Sequence, residues 1–292
     1  MVQQPRIVRI ATADGIYLHG YFQPGHDKRN ALLHIHGFEG NFYENHFLDL
    51  LGEKLKAGNF TWLPVNTRGN GKDTDFNTVD GGIRRIGARY ELLEDAHLDI
   101  DAWVEFLLDQ GYEKIVLMGH SLGTYKSVRY LFEGKHKDKI GKLILLAPFD
   151  KKALIQRYTK TPLEKLLVQA EDMVKQRKGD ELITSEFDEI SVSYKTYISW
   201  YKQDDLGRCF EFCSKDYDFP ILQKIAIPTK IIAGADDEFF HASNPGDPDE
   251  AMTMVVRKLK QGSTLLIPNA VHSFAPHEDV VAIEVSGFLQ KG

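Results

Sequence analysis

Short apolar runs recur along this chain, separated by stretches whose apolar residues return at helical spacing. Ala31–Ile35, Phe60–Val65, Lys114–Met118, Lys142–Leu146, Thr229–Ala233 and Thr264–Ile267 are mostly apolar, the pattern of strands buried on both faces. Between them, Leu93, Ala96, Ile100, Trp103, Val104 and Leu107 fall on one face of a helix over Glu91–Asp109. Val281, Val285, Phe288 and Leu289 do the same near the end. Ahead of all these, Arg6–Thr12 and Tyr17–Phe22 alternate around the turn residues Ala13-Asp14-Gly15, which predicts an antiparallel pair at a sheet edge. The expected fold class is therefore α/β: a mostly parallel central sheet flanked by helices.

One region breaks the rhythm. No buried strand is predicted between Asp150 and about Ile227, while Thr161-Pro162-Leu163-Glu164 reads as a helix start with Thr as N-cap, Pro at the first helical position and Glu completing a capping box. Leu163, Leu166, Leu167, Ala170 and Val174 follow at helical spacing. Residues 1–149 and 228–292 are thus expected to form the core and 150–227 a helical insertion, too long for an ordinary connection. It leaves the sheet on the same side as the elbow-like turn at the strands' carboxyl edge, which favours a cap over a site there. Its inner face is expected to draw on Tyr194, Tyr197, Trp200, Tyr201 and Phe210, only some of which should reach a ligand, with Trp200 and Tyr201 as substrate contacts. Asn244-Pro245-Gly246-Asp247-Pro248 reads as a loop.

Composition narrows the partners. With 36 basic and 42 acidic residues among 292, the net charge is −6 and unsegregated, which gives no electrostatic footprint for nucleic acid or an anionic membrane. Met1-Val2-Gln3-Gln4-Pro5-Arg6 lacks the apolar core of a signal peptide, and no apolar run is long enough to span a membrane, so a soluble cytoplasmic protein is expected. Cys209 and Cys213, the two cysteines, are spaced as neighbours on a helix face and support neither a disulfide framework nor a metal site.

The chemistry gathers at strand ends. Gly119-His120-Ser121-Leu122-Gly123 stands between the run Lys114–Met118 and a helical stretch from Thr124 to Leu131. A G-x-S-x-G pattern in that setting is a nucleophile elbow, a strained turn that lifts the serine hydroxyl above the sheet. The N–H of Leu122, at the start of the helix, can then stabilise negative charge on a bound carbonyl oxygen. A serine needs a base, and the base an orienting carboxylate. Gly234-Ala235-Asp236-Asp237 follows one strand and Asn269-Ala270-Val271-His272 another. His272 is the candidate base and Asp237 the candidate acid, with Asp236 turned to its own loop or to solvent. After Ala31–Ile35, His36-Gly37-Phe38 forms a turn whose Phe38 N–H can join that of Leu122. His36 is read as holding this loop, with substrate contact as its alternative role. His34 is expected to face inward with its ring hydrogen-bonded.

With the elbow, the His-Gly turn, the Gly-x-x-Asp loop and the late histidine in the order Ser, Asp, His, the chain resembles the α/β-hydrolase superfamily over nearly its whole length. Asn66-Thr67-Arg68-Gly69-Asn70-Gly71 is similar to an Arg-Gly-x-Gly loop of that superfamily. Arg68 reads as a structural residue bonding loops around the oxyanion turn, or else as a binder of a substrate carboxylate. More narrowly, Gly40–Asn45 and Asp99–Trp103 resemble an esterase-like branch that includes siderophore-biosynthesis-type hydrolases.

The expected function is hydrolysis of a small-molecule carboxylic ester through an acyl-enzyme on Ser121, needing no metal or organic cofactor. Cleavage of a thioester, an amide or an activated carbon–carbon bond, acyl transfer, and ligand binding without catalysis are the alternatives. Oligomeric state is left open.

Overall fold

The apolar runs pair into one sheet. The computed structural model describes residues 4–290 apart from 27, 29, 184–190, 203, 215 and 244–246. Its strands are β1 (Arg6–Ala11), β2 (Tyr17–Phe22), β3 (Asn30–Ile35), β4 (Thr61–Val65), β5 (Asp75–Asn77), β6 (Ile83–Arg85), β7 (Lys114–His120), β8 (Ile140–Leu146), β9 (Thr229–Gly234) and β10 (Gly262–Ile267). Eight form a sheet in the order β1-β2-β4-β3-β7-β8-β9-β10. From β4 to β10 neighbours run parallel, while β1 pairs antiparallel with β2 and β2 with β4. The alternating first pair thus sits at the edge, as its pattern requires. The small hairpin of β5 and β6 stands apart from this sheet and has no counterpart in the sequence reading. Its three-residue strands are too short for a period to register.

Helices α1 (His46–Ala57), α2 (Ala96–Asp109), α3 (Leu122–Glu133) and α10 (Glu278–Gln290) cover the two faces. Successive strand side chains point to opposite sides, so Leu33, Ile35, Leu117 and Leu145 pack with Ile100, Trp103 and Val104 of α2. Their neighbours Leu32, Val116, Met118 and Ile144 pack with Leu48 and Leu51 of α1 and Val281 and Val285 of α10. Chain order reverses between β3 and β7: the chain goes out from β3 to β4 and returns to β7 on β3's other side. A crevice opens at such a point beyond the strands' carboxyl ends.

Between β8 and β9 lie α4 (Lys151–Tyr158), α5 (Leu163–Lys175), α6 (Tyr194–Tyr201) and α7 (Pro220–Lys224). After β9 come α8 (Glu238–Ser243) and α9 (Pro248–Val256). Three local expectations are corrected. Helix α5 begins at Leu163, and Pro162, in an extended conformation (φ −55°, ψ 140°), occupies the cap position without a side-chain cap, so the capping box centred on Thr161 does not form. Cys209, buried, and Cys213, exposed, sit in successive turns rather than on one helix face, because the chain from 204 to 213 folds as turns. In the stretch read as a loop, 244–246 lie outside the described residues, but Asp247 accepts from Asp249 N–H at 2.9 Å and caps α9, which Pro248 opens.

The close seam of the fold is made by glycines. A methyl group at Gly123 would stand 2.2 Å from the Ile35 carbonyl oxygen, and one at Gly119 2.2 Å from that of Gly123. By contrast, nothing lies within 4 Å of the corresponding position at Gly287, in α10. Gly123→Ala is therefore expected to destabilise the protein by roughly 1–3 kcal/mol through forced backbone separation. Gly287→Ala is expected to be neutral or to stabilise by about 0.5–1 kcal/mol. Thermal unfolding of the two variants beside the parent checks the contrast, and equal effects would contradict it.

Candidate active site

Ser121 takes the strain of the turn itself. It sits between β7 and α3 at φ 54°, ψ −123°, the left-handed side that non-glycine residues avoid. Its N–H bonds Leu146 O at 2.9 Å, and its carbonyl accepts from Thr124 N–H at 2.9 Å and Thr124 Oγ1 at 2.6 Å. The flanking glycines do not carry positive φ. They are there for close approach, a refinement of the elbow reading: Gly119 and Gly123 bring α3 onto the end of β3. Gly37 belongs to the same contact, since a methyl group there would lie 2.8 Å from Ser121 Cβ.

Asp237 and His272 meet through their loops. Ala235 N–H bonds Ile267 O at 2.8 Å and Asp236 N–H bonds Ala270 O at 2.9 Å. This joining needs Gly234, where a side chain would strike Ala270 O at 2.1 Å. The fully buried Asp237 accepts from Phe239 and Phe240 N–H through Oδ1, at 2.9 and 3.1 Å. Its Oδ2 lies 2.8 Å from His272 Nδ1. A carboxylate that accepts two backbone bonds and faces Nδ1 holds the imidazole with Nδ1–H donating, leaving Nε2 free to accept. Asp236 is exposed.

Two residues given no role in the sequence reading hold His272. His120 Nε2–H donates to the His272 carbonyl at 3.1 Å, and Glu238 Oε2 accepts from its N–H at 3.2 Å. The ring of Phe239 stands edge-on to that of His272, with centroids 4.6 Å apart. Burial, reinforced by His272, pushes the His120 pKa down to about 3, so its ring is neutral near pH 7. His120 occupies the variable position of G-x-S-x-G, and its signal was a polar residue at the end of a buried strand.

Ser121, Leu122, Phe38 and His272 line one cavity of about 520 Å³. Phe149 after β8, Lys151, Leu154 and Ile155 of α4, and Trp200 and Tyr201 of α6 supply further wall. The Trp200 ring meets Phe38 edge-on at 5.1 Å. Tyr194, Tyr197 and Phe210 do not line this cavity; all three are buried within the inserted segment, Phe210 against Tyr125 at 5.0 Å.

His36 and Arg68 are corrected as substrate contacts. His36 is buried behind the turn: Nδ1–H donates to Gly37 O at 2.7 Å, and Nε2 accepts from Thr67 N–H at 3.0 Å. Burial and then Lys126 push its pKa down to about 3, which keeps Nε2 an acceptor. Arg68 lies at a separate cavity of about 440 Å³. Burial opposes its charge, but Asp99 at 2.8 Å, Asp14 at 3.1 Å and Asp95 at 3.3 Å hold its pKa above the ordinary arginine value. It ties the β1–β2 turn to α2 rather than bonding loops around Phe38. His34 faces inward between Phe47 and Trp62. Among the described residues no group of three His, Cys, Asp or Glu side chains could hold a metal ion, and no helix is long and apolar enough to cross a membrane.

Behind His36 is a buried ion pair. Lys126 Nζ lies 2.6 Å from Glu91 Oε1 and donates to Thr67 Oγ1 at 3.2 Å, both charged side chains being fully buried. Gly69 leaves room for the carboxylate: a methyl group there would meet Glu91 Oε2 at 2.1 Å. Glu91→Ala, which strands the ammonium, is expected to cost about 3–5 kcal/mol in urea unfolding, and pairing Glu91→Leu with Lys126→Met to cost less than that single change. A double variant weaker than the single one would contradict the reading of the pair as a buried, mutually dependent charge.

A family model described as "Protein of unknown function (DUF1749)" matches residues 89–219. No curated protein matches the sequence. Among solved structures, the esterase Pf2001 of Pyrococcus furiosus is 18% identical, with 99% of this chain and 91% of that one covered and a TM-score of 0.63. A soluble variant of monoglyceride lipase from Saccharomyces cerevisiae is 18% identical, with 100% and 97% covered and a TM-score of 0.66. The α/β hydrolase GrgF of Penicillium sp. sh18 is 14% identical, with 99% of each chain covered and a TM-score of 0.68. Sheet order, crossover point and these likenesses agree: the chain has the α/β-hydrolase fold.

Proposed function

We propose that this protein is a serine hydrolase that cleaves a small carboxylic ester through an acyl-enzyme. The observation that carries the proposal is a serine held at positive φ on a strand-to-helix turn, sharing a cavity with a histidine whose Nδ1 faces a buried carboxylate at 2.8 Å. Ser121 Oγ attacks the ester carbonyl carbon while His272 Nε2 takes the hydroxyl proton. The tetrahedral intermediate collapses, the alkoxide leaves with that proton, and an acyl-serine remains. Water then repeats the sequence and releases the acid. Asp237 keeps the His272 tautomer and offsets the imidazolium charge.

The N–H groups of Phe38 and Leu122 are assigned to the oxyanion. Leu122 opens α3, where first-turn N–H groups lack intrahelical acceptors. Each such donor is worth about 10²–10³ in kcat. Residues 150–227 act as a cap, a role supported by the α4 and α6 side chains in the cavity wall. The esterase and lipase among the structural likenesses lend support to ester chemistry.

Ser121→Ala is expected to abolish both p-nitrophenyl ester turnover and the mass increase on fluorophosphonate treatment, with circular dichroism unchanged. Ser121→Ala, His272→Ala and the double variant should lose similar factors, because the residues act as a unit. Near-parental turnover by folded Ser121→Ala excludes the mechanism. Asp237→Asn should lower kcat by about 10⁴ by favouring the wrong His272 tautomer, while Asp236→Asn should change it little. The reverse ranking would move the acid to Asp236.

A further inference from the structure

Lys151, the first residue of α4, brings a charged side chain into the cavity wall without a charged partner. It is 3% exposed, and its Nζ is buried and forms no hydrogen bond among the described residues. No described carboxylate lies within ion-pair distance of it. Nζ stands 4.0 Å above the centre of the Tyr125 ring, whose hydroxyl already donates to Phe149 O at 2.7 Å. The adjacent Asp150 is committed elsewhere: Oδ1 accepts from Ala153 N–H and Oδ2 from Cys213 N–H, both at 3.0 Å. The nearby Cys209 thiol does not supply the missing charge, since burial pushes its pKa up to about 12 and keeps it neutral. Burial also pulls the Lys151 pKa down to about 8, which leaves it mainly a cation at neutral pH.

Trp200, on α6, repeats the pattern. Its indole Nε1–H is buried and has no acceptor among the described residues. Trp200 and Lys151 both line the cavity that holds Ser121, and both also line a void of about 10 Å³ beside it. A buried ammonium and a buried N–H without acceptors are costly to maintain, so two such donors on one wall point to an acceptor that arrives with the ligand. Glu39 and Glu44 line the cavity too. They repel an anion from their own part of the wall. A single positive charge matches a carboxylate, whereas a phosphate would bring a second charge unmatched.

We propose that Lys151 and Trp200 form a subsite for a carboxylate carried by the substrate, so that the preferred esters are acidic. Leu154, Ile155 and Phe149 around it would pack the apolar link between the carboxylate and the scissile ester. The inference deepens, and rests on, the ester-hydrolase reading.

The test compares substrates that differ only in charge. p-Nitrophenyl hydrogen adipate is set against p-nitrophenyl methyl adipate, which places the charge on the acyl side. The hexanoyl ester of 5-hydroxypentanoic acid is set against that of its amide, which places it on the alcohol side. In at least one pair, the parent enzyme should favour the acidic member in kcat/KM by about 10- to 100-fold, the worth of a hydrogen bond to a charged group. Lys151→Met should remove that preference, with a loss on the acidic member at least about tenfold larger than any on its neutral twin. Trp200→Phe, which deletes only the N–H donor and keeps an aromatic ring, should lower the preference about 3- to 10-fold. It serves as the test if Lys151→Met does not fold. Absence of a preference in both pairs, or one that survives Lys151→Met, or survives Trp200→Phe where the first variant is unfolded, overturns the subsite. Fluorophosphonate labelling of Ser121 with turnover of the neutral esters would then leave the ester reading standing. Failure of labelling and of all four substrates overturns that reading and this inference together.

Discussion

The end of β3 and the start of α3 lie closer together than two side chains permit. Gly123 faces the Ile35 carbonyl and Gly37 faces Ser121 Cβ, so two backbones meet where other residues would hold them a methyl group apart. The Ser121 hydroxyl, the Phe38 turn and the first N–H groups of α3 share one small volume because of this contact. Positioning within about an ångström separates productive from idle geometry in acyl transfer, and in the proposed reaction backbone contact sets that distance.

The seam is held from behind by polar groups that burial makes unforgiving. Glu91 and Lys126 support Thr67, Thr67 supports His36, and His36 holds the carbonyl of Gly37. Because each lies in a low-dielectric interior, loss of one partner leaves the next unsatisfied. His120 plays a related part for His272. In the proposed reaction its neutral ring grips the loop of the base without competing for the transferred proton, since its own pKa is pushed down to about 3.

Strands and core faces were legible because burial imposes a period: Leu93, Ala96, Ile100, Trp103 and Leu107 recur every three or four residues and are all buried. The convergence of Ser121, Asp237 and His272 was legible for another reason, each following a strand whose direction the parallel pattern implied. Pairing over long sequence separation was not legible. Nothing local to Lys126 marks it as fully buried, because its partner Glu91 lies on another segment. The structural role of Arg68 was legible but its partners were not, on the same ground, since Asp14, Asp95 and Asp99 are neighbours only in the folded chain. The cap at Thr161 failed where local chemistry was ambiguous, with Pro162 already occupying the boundary.

The cavity draws its two kinds of wall from different parts of the chain. Ser121, Leu122, Phe38 and His272 come from strand ends, while Leu154, Ile155, Trp200 and Tyr201 come from helices inserted between β8 and β9. That insertion has aromatic packing of its own in Tyr197 with Tyr201 and Phe210 with Phe212. Substitutions at the cavity-lining positions of α4 and α6 can therefore accumulate without touching the seam of glycines, so long as Thr196 and Ser199, which bond Arg89 O and Leu93 N–H on the segment carrying Glu91, are kept. In evolutionary terms, what the cavity admits can drift at one rate while what happens at Ser121 stays fixed.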